Sequence, residues 1–362
     1  MASTIEPGLS PNVARFAATF LTSSLEETAI ERVTGDASTR QYFRARARDT
    51  SVIIAIYSSG FDETESALAR LTRLEADNPS ARLTFANDPC AHIEATRLFL
   101  EAGLPVPQVV AVSGSSGAML IEDVGDTRLQ DWLRQSSEAE AVSAYHRAVE
   151  LIVRIQEATE PAIRADSICS HLSFDDAKLR WELGFFFANY FNKYLHVKLD
   201  PVTANAVQQD FKTLCSELAA RPRVLTHRDY HARNLMMNAG KMFIIDHQDA
   251  RMGPASYDVA SLAGDPYADL DPHIVATMVE HFIELKSRST KPLDDVTAFR
   301  VEFELMMVQR MLKAIGTYAS QAAAGNSVYV TYINPALDRA LAAMKTLNRF
   351  EATLSLLERS RE

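Results

Sequence analysis

Residues 224–258 read VLTHRDYHARNLMMNAGKMFIIDHQDARMGPASYD. The stretch opens on an apolar pair, Val224 and Leu225, and then changes character: His227, Arg228 and Asp229 stand together, and Asn234 follows five positions after Asp229. A second apolar run, Met242 to Ile245, has the composition of a strand and ends on Asp246. A strand of this kind points its terminal carboxylate out of the sheet at its end. Two carboxylates and one carboxamide, Asp229, Asn234 and Asp246, therefore come from a loop, the exit of that loop and the end of a strand. The tetrapeptide Asn238-Ala239-Gly240-Lys241 predicts a turn, so the same residues also read as an ordinary hairpin with polar ends.

Such a set suits phosphoryl transfer. One carboxylate accepts the proton of an acceptor hydroxyl, while the amide oxygen and the second carboxylate hold Mg²⁺ on nucleotide phosphates. Hard oxygen donors suit that ion, which keeps several waters and needs few protein ligands.

The order His227-Arg228-Asp229, four residues, Asn234 has the spacing of the kinase catalytic loop. Beyond it the chain departs from protein kinases. Asp246-His247-Gln248-Asp249 lacks the glycine of Asp-Phe-Gly, and Gly253-Pro254-Ala255-Ser256-Tyr257-Asp258 leads into an apolar helix start, Val259 to Leu262. In these features the chain resembles the aminoglycoside phosphotransferase family, the small-molecule branch of the kinase-like fold. That family reads H-G-D-x-x-x-x-N, then I-D-x-x-D, then a Gly-Pro or Gly-Asp turn and Tyr-Asp. Arg228 stands where the family has glycine, which predicts a slightly different backbone before Asp229. The resemblance is strongest over 224–262 and weaker across 30–345.

The resemblance implies an α+β, bilobal protein-kinase-like fold with a small antiparallel-sheet N-lobe and a larger, mainly helical C-lobe. It divides the chain into a nucleotide-binding lobe over 1–121, a hinge at 122–126 and a catalytic and acceptor-binding lobe over 127–362. It implies ATP and Mg²⁺ as cofactors, Asp229 as catalytic base, and Asn234 and Asp246 as metal ligands. His227 becomes a support for the loop and Asp258 an acceptor for the loop backbone. Asp249, Glu182, His231 and Arg233 are candidates for the acceptor's surroundings.

The N-terminal third fits that division. After a helix over 11–24, with Ser10 as cap and Pro11 in the first turn, come three predicted strands, Thr28–Val33, Gln41–Ala47 and Val52–Tyr57, an antiparallel meander. The turn Gly35-Asp36-Ala37-Ser38 is placed to direct backbone N–H groups at phosphates. The whole segment Gly35 to Arg44, GDASTRQYFR, is similar to that of bacterial kinases acting on the anomeric hydroxyl of N-acetylmuramate and N-acetylglucosamine. This narrows the implied acceptor to an amino sugar and the implied role to cell-wall sugar recycling.

The third strand carries no lysine where a protein kinase has one. Arg40 and Arg44 are the nearest cations for the phosphates, the alternative being that both face solvent on an edge strand. Glu94, on a helix over 90–102, reads as a solvated surface residue because its usual lysine partner is missing. Ala118–Ile121 predicts a strand, followed by Glu122-Asp123-Val124-Gly125-Asp126, where backbone groups at Glu122 and Val124 are placed to meet an adenine edge. From 127 the pattern is mostly helical. An aromatic-rich helix over 177–199 reads as core, and an apolar stripe over 336–358 reads as one long helix.

Composition excludes several classes. At 362 residues, 47% apolar and 23% charged, the chain is long enough for two lobes and ordinary for a globular protein. The net charge of −10 argues against a nucleic-acid binder. Cys90, Cys169 and Cys215 have no metal-like spacing and suit a reducing cytoplasm. No signal peptide and no apolar run of about 20 residues is present, so no membrane association is expected. Oligomeric state is open. Three functions compete: an amino-sugar kinase, a kinase of another small acceptor such as an aminoglycoside, choline or homoserine, and a nucleotide-binding pseudokinase. The presence of Asp229, Asn234 and Asp246 argues against the last. If the acceptor is N-acetylmuramate, its lactyl carboxylate needs a cation beside Asp229, with Arg233 the first candidate and Arg251 the second.

Overall fold

The computed structural model describes residues 8–33, 40–268 and 270–360. The expected phosphate turn, Gly35-Asp36-Ala37-Ser38, lies outside these. The chain clusters into two compact units, one formed by 1–127 with 236–249 and the other by 128–235 with 250–362. The hairpin that ends on Asp246 therefore groups with the N-terminal unit, whereas sequence alone places it in the C-terminal lobe.

The first unit begins with α1 (Pro11–Phe20), capped by the Ser10 hydroxyl, which accepts from the Val13 N–H. Strands β1 (Ala29–Val33), β2 (Gln41–Ala47) and β3 (Thr50–Ile56) follow, then α2 (Ala67–Asp77), α3 (Ala81–Thr84), α4 (Pro89–Glu101), β4 (Val109–Ser113) and β5 (Ala118–Glu122). The strands form one antiparallel sheet in the order β1-β2-β3-β5-β4. One face buries Phe43, Ala45, Val52, Ile54, Ala118 and Leu120 against Val13, Ala14 and Ala17 of α1 and Leu21 just past its end. Apolar burial of this kind is the main force holding the helix to the sheet. Glu94 of α4 is not a solvated residue: its Oε1 accepts the Ala67 N–H at 2.7 Å and caps the start of α2, a use that short-range pattern does not reveal.

The second unit starts with α5 (Leu129–Leu133), α6 (Glu138–Glu157), α7 (Thr159–Arg164), α8 (Ile168–His171) and α9 (Asp176–Phe187). The last continues as π-helical turns over Ala188–Tyr194, so the expected single helix over 177–199 changes winding midway. Its aromatic residues are core in part: Phe186, Tyr190 and Phe191 are buried, whereas Trp181 is 40% exposed. Next come α10 (Pro201–Ala219) and β6 (Arg223–Thr226).

The hairpin β7 (Leu235–Asn238) and β8 (Lys241–Ile244) belongs to the first unit from Met236 on. Its two-residue turn has Ala239 at φ 47 and Gly240 at φ 75, the double positive φ that matches the twist of paired strands. Residues Arg251–Pro254, read from sequence as part of a Gly-Pro turn, form a further strand, β9, antiparallel to β6. The chain ends with α11 (Tyr257–Ala263), α12 (Pro272–Ser287), α13 (Val296–Ala323), α14 (Ile333–Leu347) and α15 (Glu351–Arg359). The predicted continuous helix over 336–358 is thus two, because Asn348 at φ 53 and Phe350 at φ 65 take left-handed conformations that no helix tolerates. Among the described residues no helix is long and apolar enough to cross a membrane.

The 28-residue α13 is the axis of this unit and packs on α9, α11 and α14. Its Gly316 sets the approach to α9: a Cβ there would lie 2.6 Å from the Phe186 Cα. Gly316→Ala is expected to destabilise the protein by about 1–3 kcal/mol through overpacking. Urea unfolding checks this, and a variant as stable as the parent would show that the helices can move apart without cost.

Candidate active site

The loop after β6 is held from three sides. Asp258, fully buried at the start of α11, accepts the backbone N–H of His227 at 2.7 Å and of Arg228 at 3.1 Å. Burial pushes its carboxyl up, against the pull of His227 and those two donors. Asp258 is itself placed by Glu302 of α13, which accepts from the Ser256 N–H and hydroxyl and so fixes the entry to α11. Tyr230 donates its hydroxyl to the Ala148 carbonyl of α6, and Asp265 accepts the Ala232 N–H at 2.8 Å. His227 is fully buried, with its ring edge-on to Tyr230.

Arg228 stands at φ +86, the left-handed region that favours glycine. The backbone here is therefore of the type a glycine adopts readily, with an arginine carrying the strain, a cost of order 1–3 kcal/mol. The same holds more mildly at Asp246, with φ +62, since Asp tolerates this region better than most residues.

This bracing presents Asp229 with a side chain 24% exposed. Its Oδ1 accepts from Lys313 Nζ at 2.9 Å and lies 3.6 Å from an Arg310 nitrogen, and its Oδ2 lies 3.7 Å from Arg228 Nε. Burial opposes ionisation, but these three cations outweigh it and hold the carboxyl well below its ordinary range. Asn234 donates Nδ2 to the Asp229 carbonyl at 2.8 Å, which fixes the amide orientation and leaves Oδ1 as its acceptor.

In the first unit Asp246 carries a carboxylate 40% exposed, with Oδ1 accepting from Arg40 Nη2 at 2.8 Å and from Gln248 Nε2 at 2.9 Å. Arg40 is thus buried against a carboxylate rather than facing solvent. Arg44 is also buried. Its guanidinium forks onto Asp123 at 2.7 and 3.0 Å and reaches Asp126, while Ser51 and the Gly125 N–H complete the Asp123 carboxylate. Arg44 therefore braces the 123–126 segment. The Glu122 N–H donates to the Gln108 carbonyl at 2.8 Å, so that donor is not available to a nucleobase. Val124 is buried. Asp249 accepts the Asn87 N–H at 2.9 Å and Gln248 Nε2 at 3.4 Å.

The acceptor candidates fall in distinct places. His231 is half-buried with its ring 5.3 Å from that of Tyr267. Arg233 donates to Gln130 Oε1 and the Tyr332 hydroxyl, and its guanidinium lies 3.8 Å over the Tyr267 ring. Arg251 is 1% exposed, 5.5 Å from the Phe174 ring centre. Glu182 is buried on α9, where it accepts from Gln309 at 2.9 Å and lies 3.7 Å from Lys178. Despite burial, Lys178, Lys313, Arg228 and Arg310 lower its pKa. Sequence reading missed Lys313, Arg310, Asp265 and Gln130, none of which belongs to the quoted stretch.

Asn234 Oδ1 and the half-exposed Asp246 carboxylate are hard oxygen donors of the kind Mg²⁺ takes. Among the described residues there is no group of three or more His, Cys, Asp or Glu able to hold a metal by itself.

A loop carboxylate braced by a buried Asp, an adjoining carboxamide and an antiparallel-sheet N-terminal unit define a phosphotransferase of protein-kinase-like fold. The chain belongs to the phosphotransferase enzyme family, whose model matches residues 29–289. It is 27% identical over 286 residues to an N-acetylmuramate/N-acetylglucosamine kinase of Neisseria meningitidis serogroup B, covering 78% of this chain and 76% of that one. A protein of the same description from Pseudomonas aeruginosa is 26% identical over 285 residues, with 78% and 74% covered. Among solved structures, a choline/ethanolamine kinase family protein from Mesorhizobium loti superposes with TM-score 0.57 at 16% identity, covering 96% of this chain and 98% of that one. The ADP-bound aminoglycoside phosphotransferase APH(2'')-Ib gives 0.55 at 10%, with 93% and 99% covered. These two likenesses concern the fold.

Proposed function

We propose that this protein transfers the γ-phosphoryl group of ATP to the anomeric hydroxyl of N-acetylmuramate or N-acetylglucosamine, giving the sugar 1-phosphate. The observation that carries the reaction type is the Asp229 loop, braced by Asp258 and with the Asn234 amide held on the Asp229 carbonyl. The acceptor rests on the four curated relatives of that description, 25–28% identical over 61–80% of this chain, and on the GDASTRQYFR segment.

Asp229 orients the acceptor hydroxyl and takes its proton late, when the oxygen has become acidic through bond formation to phosphorus. A low pKa suits that timing. Asn234 Oδ1 and Asp246 are the donors that would hold Mg²⁺, and the ion would supply positive charge against the phosphates. Arg40 sits at Asp246 and offers the nearest cation to those phosphates. Arg44 acts indirectly, by fixing the Glu122–Asp126 segment against which the adenine lies. His231 and Arg233 border the acceptor, Asp249 holds the Asn87 loop beside Asp246, and Glu182 and Arg251 support the charged groups beneath. His227 and Asp258 keep the loop in place. Three buried cysteines without metal-like spacing fit a cytoplasmic enzyme of cell-wall sugar reuse.

The test is ATP consumption with Mg²⁺ against a panel of amino sugars, choline, homoserine and an aminoglycoside, with ³¹P NMR locating the new phosphate. Phosphorylation at the anomeric oxygen of either acetylated amino sugar is the expected result. Turnover of only a cationic acceptor, or of none, would overturn the assignment.

A further inference from the structure

Lys313 lies 84 residues beyond the base in sequence, yet its Nζ is the group that hydrogen-bonds Asp229 Oδ1. One turn earlier on α13, Arg310 faces the same oxygen. The charged groups around Lys313 come from three elements: Asp229 and Arg228 from the loop, Arg310 from its own helix and Glu182 from α9. Three cations, Arg228, Arg310 and Lys313, thus face Asp229 and Glu182, with the buried Asp258 acting on Arg310 as a third carboxylate. Lys178 adds a fourth cation on the other side of Glu182, and burial pushes its ammonium down to about 7. Lys313, facing Arg228 and Arg310 as well as Asp229, is costly to hold away from water, and a further anion beside it lowers that cost.

The cations are not equivalent. Arg310 is 5% exposed and donates to the Tyr257 hydroxyl at 2.7 Å and the Ser261 hydroxyl at 3.0 Å, so its guanidinium is locked. Arg233 has its nitrogens on Gln130 and Tyr332 and its face on Tyr267. Lys313 is a compact charge on a flexible four-carbon stem, with a side chain 19% exposed beside a base 24% exposed. Among the described residues its ammonium hydrogen-bonds Asp229 alone, so it can turn to another anion by giving up that one contact.

We propose that Lys313 is the specificity residue that reads an ionised carboxylate on the acceptor, exchanging its contact with Asp229 for one with the substrate. The proposal rests on the amino-sugar reading above and narrows it to the carboxylate-bearing sugar, N-acetylmuramate, as preferred acceptor. An acceptor hydroxyl brought to Asp229 with a carboxylate close by would set two anions side by side, and an ammonium already at that point relieves the repulsion. The exchange also frees Oδ1 to receive the hydroxyl. The same charge balance disfavours cationic acceptors.

The experiment compares wild type, Lys313→Met and Lys313→Arg on N-acetylmuramate and N-acetylglucosamine, with folding checked by thermal unfolding. Any general disturbance of Asp229 affects both sugars and cancels in the ratio of their kcat/KM values. That ratio is expected to fall by about tenfold to a hundredfold in Lys313→Met, chiefly through KM for N-acetylmuramate, and to recover largely in Lys313→Arg. Calorimetric titration without nucleotide should show wild type binding N-acetylmuramate more tightly and the Met variant losing that preference. An unchanged ratio, or wild-type binding with no preference for the acid, would overturn the role of Lys313. Wild type that binds both sugars with that preference yet phosphorylates neither would refute the kinase assignment and leave the carboxylate contact standing. Binding of neither sugar would refute both.

Discussion

Asp229→Asn is expected to lower kcat by about 10²–10⁴ while leaving nucleotide affinity close to that of the parent. The amide keeps the shape of the carboxylate and still accepts a hydrogen bond from Lys313, but it cannot take a proton. The loss therefore falls on the chemical step, visible at saturating ATP and acceptor. The substitution also leaves Lys313, Arg310 and Arg228 facing one carboxylate fewer, so the variant should be less stable, by up to about 3 kcal/mol. The two effects separate by measuring kcat and thermal unfolding on the same preparation. A variant that unfolds at lower temperature but turns over normally would remove Asp229 from the chemistry and keep it as a purely structural anion.

The second large effect is expected at Asp246. Asp246→Asn is the suitable change, because the residue sits at φ +62, where Asn is tolerated and Ala would add backbone strain. The amide keeps one oxygen for Arg40 or Gln248 but removes the charge that would balance a divalent cation. Turnover should drop by at least about 10²–10³, and nucleotide binding should lose most of its dependence on Mg²⁺ concentration. Titrating Mg²⁺ against nucleotide binding reads this directly. A variant with the parent's Mg²⁺ dependence would rule out Asp246 as a ligand, whatever its activity.

What could be read in advance was local. The loop from His227 to Asn234, the strand ending on Asp246 and the helix start at Tyr257-Asp258 lie within 35 residues, and their spacing alone singles out Asp229, Asn234 and Asp246 as candidates. What escaped was set by contacts distant in sequence. Lys313 and Arg310 sit in a helix whose apolar pattern marks it only as core, and nothing in that pattern says which of its turns lies under Asp229. Glu94 looks unemployed until α2 is seen to start beside it. Arg44 appears equally suited to phosphate or solvent until Asp123 and Asp126, some 80 residues on, are found around it. The break between α14 and α15 was missed because Leu337, Leu341, Leu354 and Leu357 keep a nearly helical phase across Asn348 and Phe350. Two left-handed residues redirect the chain there without disturbing the apolar stripe.

The membership of 236–249 in the first unit has a practical corollary for dissecting the molecule. That segment is knitted to the N-terminal residues by the Ile244 N–H on the Pro105 carbonyl, the Met237 N–H on the Thr127 carbonyl, Thr96 on His247, Asn87 on Asp249 and Arg40 on Asp246. A truncated product ending at Thr127 lacks all five and exposes the surface they cover, so it should be recovered as an unstable or insoluble fragment. Supplying 236–249 through a short linker after Thr127 restores the missing piece. Conversely, a chimera meant to transplant the helical half from a relative must exchange two stretches, 128–235 and 250–362, and keep the native hairpin between them. A single splice at the apparent boundary would mix one protein's sheet with another's Asp246.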